Sequence, residues 1–323
     1  MRVLVVGGTR FIGFASVERL LERGHELTVY NRGTRSNLWP GRVRELRGDR
    51  ADPCALAVLG EETFDAIVDF CAYDAADART LLDVQGSVER LVQISSGTVY
   101  RLGAPLPWRE ETPYGPAELW GGYARGKIAC EQLLRAERPA GAATTVLRFP
   151  WVLGPRSYAD RERFVLNRLL DRAELLLPGD GQALQQFLSV DQAAQAIVAA
   201  TEAFASGGWR AFNVASPGSA SLEGFVRVCG AVAGVEPIIR RLGAGPTGLG
   251  RKTFDITNCV FPFPNENYVL DLRSSEQAGI APEELPLEAM IESSLGELCG
   301  DRARRRWQRT EAERVALRRL SLR

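Results

Sequence analysis

Residues 2–6, Arg-Val-Leu-Val-Val, are a short, largely apolar and β-branched run ending at glycine, the pattern of a strand buried on both faces in a parallel sheet. Directly after it, Phe11, Ile12, Ala15, Val17, Leu20 and Leu21 recur at helical spacing. The same succession repeats along the chain. Strands are expected at 25–33, more weakly at 42–46, then at 65–71, 91–94, 144–149 and 212–215. Helices are expected after Ala75, from Gly122 through Leu134, at 161–170, at 192–204 with Asp191 as its N-cap, and from Ser221. Strands alternating with helices predict an α/β chain built on a Rossmann-type, doubly wound parallel sheet. From 237 to 263 the periodicity fails, and the Gly- and Pro-rich stretch 243–250 reads as a mobile or substrate-shaping loop.

The first strand and helix meet in Gly7-Gly8-Thr9-Arg10-Phe11-Ile12-Gly13. A glycine turn of this kind aims the free N–H groups and positive end of the helix into the turn, where the favoured guest is a pyrophosphate. An ordinary tight turn is the plain alternative. Arg10 stands where a further glycine is expected, and its guanidinium makes a bidentate partner for a second phosphate. At the end of the second strand, where an acid would hold the ribose of NAD, stand Asn31 and Arg32, with Arg35 close by. These point to NADP rather than NAD. Asp49 reads either as a partner of the adenine amino group or as a simple loop acid. Cys71 and Ala72, ending the fourth strand, are placed to touch the cofactor. With no histidine near to activate it, the Cys71 thiol is not read as a nucleophile.

The fifth strand delivers Ser95-Ser96-Gly97-Thr98-Val99-Tyr100 at its carboxyl end, and Tyr123 and Lys127 lie four apart on the helix that follows. That spacing stacks the two side chains on one helical face. An ammonium beside a phenol favours phenolate and lowers the tyrosine pKa, making an acid/base. Alone, the pair could be an amphipathic surface feature. Glycine turn, Ser-x-x-Val-Tyr and Tyr-x-x-x-Lys together form a much more specific pattern.

On those residues the chain resembles an extended short-chain dehydrogenase/reductase of the NAD-dependent epimerase/dehydratase family, over nearly its whole length. The resemblance implies that Tyr123 is the catalytic acid/base, that Lys127 holds the nicotinamide ribose, and that Ser96 hydrogen-bonds the reacting oxygen. It implies an enzyme acting on a nucleotide sugar, and a homodimer formed through the helix after Ala75 and the helix of Tyr123. Gly97 and Thr98 stand where dehydratases carry an Asp-Glu pair, so the UDP-galactose 4-epimerase group is the better likeness. A ketoreductase of a sugar or related small molecule would use the same three residues. Arg148 with 150–155 resembles the family's crossing to a substrate lobe, and Arg251 or Lys252 would meet a nucleotide diphosphate or remain solvated. The implied organisation is a dinucleotide-binding domain at 1–155 with 186–215 returning to it, a substrate lobe at 156–185 and 216–300, and a basic C-terminal helix at 301–323. Gly-Gly-Thr-Arg-Phe and Asn-Arg-Gly also resemble the chloroplast stem-loop-binding proteins, the source of a non-enzymatic, RNA-binding alternative.

Forty basic and forty acidic residues cancel, leaving no overall field to gather nucleic acid or an anionic membrane. The exception is 301–323, with nine arginines against three acids and a narrow apolar edge of Val315, Leu317 and Leu320. A surface or subunit-contact helix is expected there, with RNA or membrane binding as the alternative. Six scattered cysteines and one histidine, His25, provide no zinc site of ordinary ligand type, so no metal is expected. A first strand at residue 2, no apolar run of about 18 residues and unclustered thiols give a cytoplasmic protein as the expectation.

Overall fold

In the computed structural model, residues 1–60, 62–84, 88–115, 118–137, 142–204, 207–243, 254–300 and 307–321 are described. The first half of the chain alternates as expected, with α2 as an additional helix: β1 (Arg2–Val6), α1 (Phe11–Glu22), β2 (Glu26–Asn31), β3 (Arg44–Arg47), α2 (Pro53–Gly60), β4 (Ala66–Asp69), α3 (Ala75–Val84), β5 (Arg90–Ser96), α4 (Gly121–Glu137) and β6 (Ala143–Phe149). The second half adds β7 (Trp151–Leu153), α5 (Arg161–Leu170), β8 (Leu175–Leu177), β9 (Leu184–Gln185), β10 (Phe187–Ser189), α6 (Val190–Ala203), β11 (Trp209–Asn213), β12 (Ala220–Ser221), α7 (Leu222–Ala233), β13 (Ile239–Arg241), α8 (Arg273–Gln277), α9 (Leu287–Gly300) and α10 (Glu311–Ser321).

Seven strands form one parallel sheet in the order β11-β6-β5-β4-β1-β2-β3. Its central strands carry Val3 to Val6, Ala66 to Val68 and Leu91 to Val92 at 3% exposure or less, which is why they read as continuous apolar runs. Helices α1 and α6 pack together on one face, where Val17 and Leu20 meet Ala193 and Ile197; α3 and α4 cover the other through Leu81, Cys130 and Leu134. Strand order reverses between β1 and β4, so the crevice that such sheets offer to ligands opens at the carboxyl ends of those two strands.

Three expectations shift. The third strand begins at Arg44, because the backbone N–H groups of Arg42 and Val43 close a turn on the Trp39 carbonyl. The N-cap of α6 is Ser189, whose hydroxyl accepts from the Gln192 amide while the Gln192 side chain accepts from the Ser189 N–H, a complete capping box. Asp191 lies inside the first turn instead and pairs outward with Arg19. The C-terminal helix is not merely a surface element. Ala312 and Ala316 are buried in a core shared with α5, α7 and α9, and Glu313 forms a buried bidentate pair with Arg168, at 2.8 and 2.5 Å. Leu317 and Leu320 are only partly buried against the same core. Most of the loop stretch 243–250, and Arg251 and Lys252, lie outside the described residues.

His25 plays the structural part expected of it, bridging the N-terminus and Glu202. No described helix is long and apolar enough to cross a membrane. Thiol chemistry offers a simple check on the packing. Cys54 and Cys299 are exposed, whereas burial pushes the Cys130 and Cys259 thiols up to about 12 and Cys229 well above its ordinary value. A maleimide titration of the folded protein at neutral pH is expected to label Cys54 and Cys299 fast and those three only on unfolding.

Candidate functional site

The turn after β1 is built for close approach. Gly7 and Gly8 have φ of +92° and +80°, and a Cβ on Gly7 would run into the Cys71 sulfur. A Cβ on Gly13 would lie 2.7 Å from Gly8 Cα, so α1 rests directly on the turn. Arg10 is the N-cap of α1 and makes no side-chain cap, which leaves the first-turn N–H groups open toward the crevice. The Arg10 guanidinium lies 5.3 Å from the Tyr158 ring centroid, and among the described residues Arg10, Arg32 and Arg35 have no ion-pair partner. A cavity of about 850 Å³ opens here, lined by Thr9, Arg10, Phe11 and Arg35 on one side and Tyr158 and Trp307 on the other. It faces the turn rather than Ser96, Tyr123 and Lys127, none of which lines it.

Other residues expected around a cofactor have local partners. The Asn31 amide donates to Glu45 and accepts from the Gly33 N–H, and Asp49 accepts from the Ala51 N–H in a turn of its own. Ile12 is half-buried on the first turn of α1, its carbonyl accepting from the Ser16 hydroxyl. Burial raises the Cys71 pKa to about 11, with Asp69 adding to the rise, so Cys71 is a thiol at neutral pH. Ala72 is fully buried and presents its carbonyl to Lys127.

Ser96, Tyr123 and Lys127 converge at the carboxyl end of β5. Ser96 Oγ accepts from both the Thr98 amide at 3.2 Å and the Thr98 hydroxyl at 3.1 Å, so its own proton is left to donate. Lys127 is 3% exposed, and its ammonium donates to the Ala72 and Ile94 carbonyls at 2.8 Å each, leaving one N–H. Its Nζ lies 5.9 Å from the Tyr123 ring centroid and 5.0 Å from that of Tyr73. Burial lowers the Lys127 pKa, although Asp69 opposes the shift.

The sequence-based electrostatics of this pair need correcting. Tyr123 keeps 47% of its surface exposed, yet enough protein surrounds the phenol that burial holds its pKa above the ordinary value. The groups that pull it back are the Ser96 hydroxyl and the Arg161 guanidinium, not Lys127, whose ammonium is turned to two carbonyls.

Helix α4 is held in register from below. A Cβ on Gly126 would collide with the Tyr73 carbonyl, so only glycine lets the helix come close enough for Lys127 to reach Ala72. Gly126→Ala is therefore expected to cost about 1–3 kcal/mol of stability, as overpacking does, and to move Lys127 off its carbonyls; urea unfolding measures the first effect. One turn further on, buried Glu131 accepts from Arg148, Tyr114 and Ser95, and Arg148 also donates to Tyr100.

Several residues of this region are illegible in the sequence pattern. Tyr268 is 1% exposed, and its hydroxyl fills the space that a side chain at position 97 would need; burial raises its pKa well above ordinary while Ser96 pulls it down. Trp151 stands 5.0 Å from Tyr268, and Trp120 5.6 Å from Trp151. Arg161, the first residue of α5, lies 4.4 Å from the Trp151 centroid. Only Gly97, a residue without a side chain beside a catalytic-type serine, hints at this from the sequence.

The model of the NAD dependent epimerase/dehydratase family matches residues 3–215. The chloroplast stem-loop binding protein of 41 kDa b from Arabidopsis thaliana is 25% identical over 310 residues, 90% of this chain and 78% of that protein. A 2-alkyl-3-oxoalkanoate reductase from Stenotrophomonas maltophilia is 33% identical over 227 residues, 64% of this chain and 67% of the relative. Among solved structures, the UDP-glucose 4-epimerase from Bifidobacterium longum in complex with NAD+ and UDP has a TM-score of 0.73 at 20% identity, covering 94% of this chain and 99% of that one. At that identity the likeness speaks for the fold.

Proposed function

This chain belongs to the NAD dependent epimerase/dehydratase family, and from that premise we propose that it epimerises a nucleotide sugar through a transient keto sugar, with NADP(H) as its hydride carrier. The observation that carries the reading is the convergence of Ser96, Tyr123 and Lys127 beside the segment after β4, where Lys127 donates to Ala72 and the neighbouring Cys71 packs on Gly7 of the turn. The residues fit a dinucleotide. Gly7 and Gly8 let the turn pack tightly against Cys71 and Val5, the first turn of α1 and Arg10 would face its phosphates, and the remaining Lys127 N–H is free for a ribose hydroxyl. Bound there, the oxidised nicotinamide would accept a hydride from the sugar carbon and later return it. Tyr123 Oη takes the proton of the sugar hydroxyl and later returns it, while Ser96, its lone pairs occupied by Thr98, donates to the same sugar oxygen.

The preference for NADP rests on Arg10, Arg32 and Arg35, three cations without ion-pair partners among the described residues near the end of β2 and the glycine turn. The solved epimerase named above holds NAD+ instead. Arg32→Asp is expected to weaken NADP(H) by about tenfold to a hundredfold relative to NAD(H), the worth of one charged hydrogen bond. Equal affinities for both cofactors in the unaltered protein would count against the preference. Assembly through α3 and α4 into a homodimer belongs to the same reading, and sedimentation reports it.

Retained cofactor separates the two enzymatic readings. An epimerase regenerates oxidised cofactor in every cycle and is expected to be purified with it bound. The reductase reading is favoured by the 33% identity to an oxoalkanoate reductase and would show free exchange with NADPH. An RNA-binding reading draws on the stem-loop binding relative and the basic tail. Against it, Arg309 pairs with Glu313, and Arg314 and Arg318 with Glu311.

A further inference from the structure

Near Tyr123 lies a cation, Arg161, that has no ion-pair partner among the described residues. Arg161 is half-buried against three rings, 4.4 Å from the Trp151 centroid, 5.6 Å from Phe263 and 5.7 Å from Phe254. Among the described residues its only hydrogen bond goes to the Pro262 carbonyl. Both neighbouring acids point elsewhere: Asp160 pairs with Arg163, and Glu162 accepts from the Gly154 N–H and the Ser294 hydroxyl. Buried charges in proteins are ordinarily paired, because an isolated one is costly. Burial accordingly lowers the Arg161 pKa to about 10.

A second observation falls on the same rings. The indole N–H of Trp120, a residue 9% exposed, has no hydrogen-bond partner among the described residues, and Trp120 packs at 5.6 Å on Trp151 and 6.3 Å on Phe254, the rings that also carry Arg161. A guanidinium without a counter-charge and an indole N–H without an acceptor, among the described residues, thus share one aromatic wall. From that wall Trp151 leads in one step to Tyr268, whose hydroxyl lies against Gly97 beside Ser96.

We propose that Arg161 and Trp120 form an oxyanion subsite beside the reacting centre, and that the substrate carries a carboxylate on the sugar unit that reacts. The proposal deepens the nucleotide-sugar reading and rests on it for the rest of the substrate. An Arg–carboxylate pair in these surroundings supplies the missing counter-charge with bidentate geometry, and the indole N–H adds a neutral donor.

The test is a calorimetric titration of the full chain with two matched pairs of probes, UDP-glucuronate against UDP-glucose and free glucuronate against free glucose, with UDP alone as a fifth probe. The acid is expected to bind about tenfold to a hundredfold tighter than its neutral counterpart. Arg161→Met is expected to abolish that difference while changing UDP affinity little. Trp120→Phe keeps a ring in the wall, removes only the donor, and is expected to reduce the preference several-fold. If the UDP compounds fail to bind while glucuronate still shows an Arg161-dependent preference, the nucleotide reading falls and the subsite stands. No preference for the acid in either pair, or a preference that survives Arg161→Met, overturns the subsite. So does a loss of UDP affinity in Arg161→Met as large as that of UDP-glucuronate, because it puts Arg161 on the diphosphate.

Discussion

Replacing Tyr123 by phenylalanine is expected to cut turnover about a hundredfold or more while leaving fold and cofactor affinity intact, since general acid/base catalysis contributes about 10² to 10⁴. The ring is retained, and with it the contact to Tyr73 at 6.5 Å, so only the proton carrier is lost. Ser96→Ala is expected to cost less, because it removes a donor to the reacting oxygen while the proton carrier remains. Lys127→Met is expected to lose cofactor affinity together with turnover, as the buried ammonium that ties α4 to Ala72 and Ile94 disappears. The pH profile carries the sign of the tyrosine's surroundings. Burial holds the Tyr123 phenol above its ordinary pKa, so the base form grows as pH rises and turnover climbs on the alkaline side. In Tyr123→Phe that climb should vanish. A steady-state pH series on both proteins measures it.

The largest effect on stability is expected from Arg148→Met. Arg148 is 1% exposed and Glu131 fully buried, and their ion pair is shared with the hydroxyls of Tyr100 and Tyr114. Burial alone would lower the Arg148 pKa, but Glu131 holds it above its ordinary value. Removing the guanidinium leaves a carboxylate in the core with hydroxyl partners only, which costs about 3–5 kcal/mol. Glu131 sits one turn beyond Lys127 on α4, so the same change should also loosen the Tyr123–Lys127 register and depress turnover. Adding Glu131→Leu to Arg148→Met removes both charges and is expected to restore part of the loss. Urea unfolding of the three variants measures these differences. A loss in Arg148→Met no larger than that of an exposed pair, about 1 kcal/mol or less, would contradict this account of the network.

Strand runs and helical periods carry the sheet well, because β1, β4, β5 and β6 are buried on both faces and their runs are largely apolar, with partnered polar residues such as Ser95 and Arg148 as exceptions. The 161–170 period coincides with α5 for the same reason, since one face must meet α7 and α9. Local competition is harder to read. Ser189 and Asp191 are both good N-caps, and the reciprocal Gln192 contact decides between them. Turn chemistry likewise shortens β3 without changing its hydrophobic pattern.

The candidate site divides along the same line. Gly7, Gly13, Ser96, Tyr123 and Lys127 are legible because their spacing itself expresses the strand–turn–helix geometry. Tyr268, Trp120, Trp151 and Arg161 are not, because they come from irregular segments or element ends and meet only through tertiary folding. The basic residues Arg251 and Lys252 stand out in the sequence, whereas Arg161 looks there like one more helix-surface charge. Its aromatic seat and unneutralised charge become visible only once Trp151 and Phe263 are brought beneath it.

The central claim is that hydride leaves a sugar carbon under the control of Tyr123, and rapid mixing tests it most directly. The protein, loaded with oxidised cofactor, is mixed with candidate nucleotide sugars while the absorbance of reduced nicotinamide is followed. The account predicts that one of them produces a transient reduced-nicotinamide band that decays as its epimer forms, and that Tyr123→Phe suppresses the band at equal cofactor occupancy. Epimer formation with no reduction of the cofactor, or a band of unchanged rate in Tyr123→Phe, would contradict it.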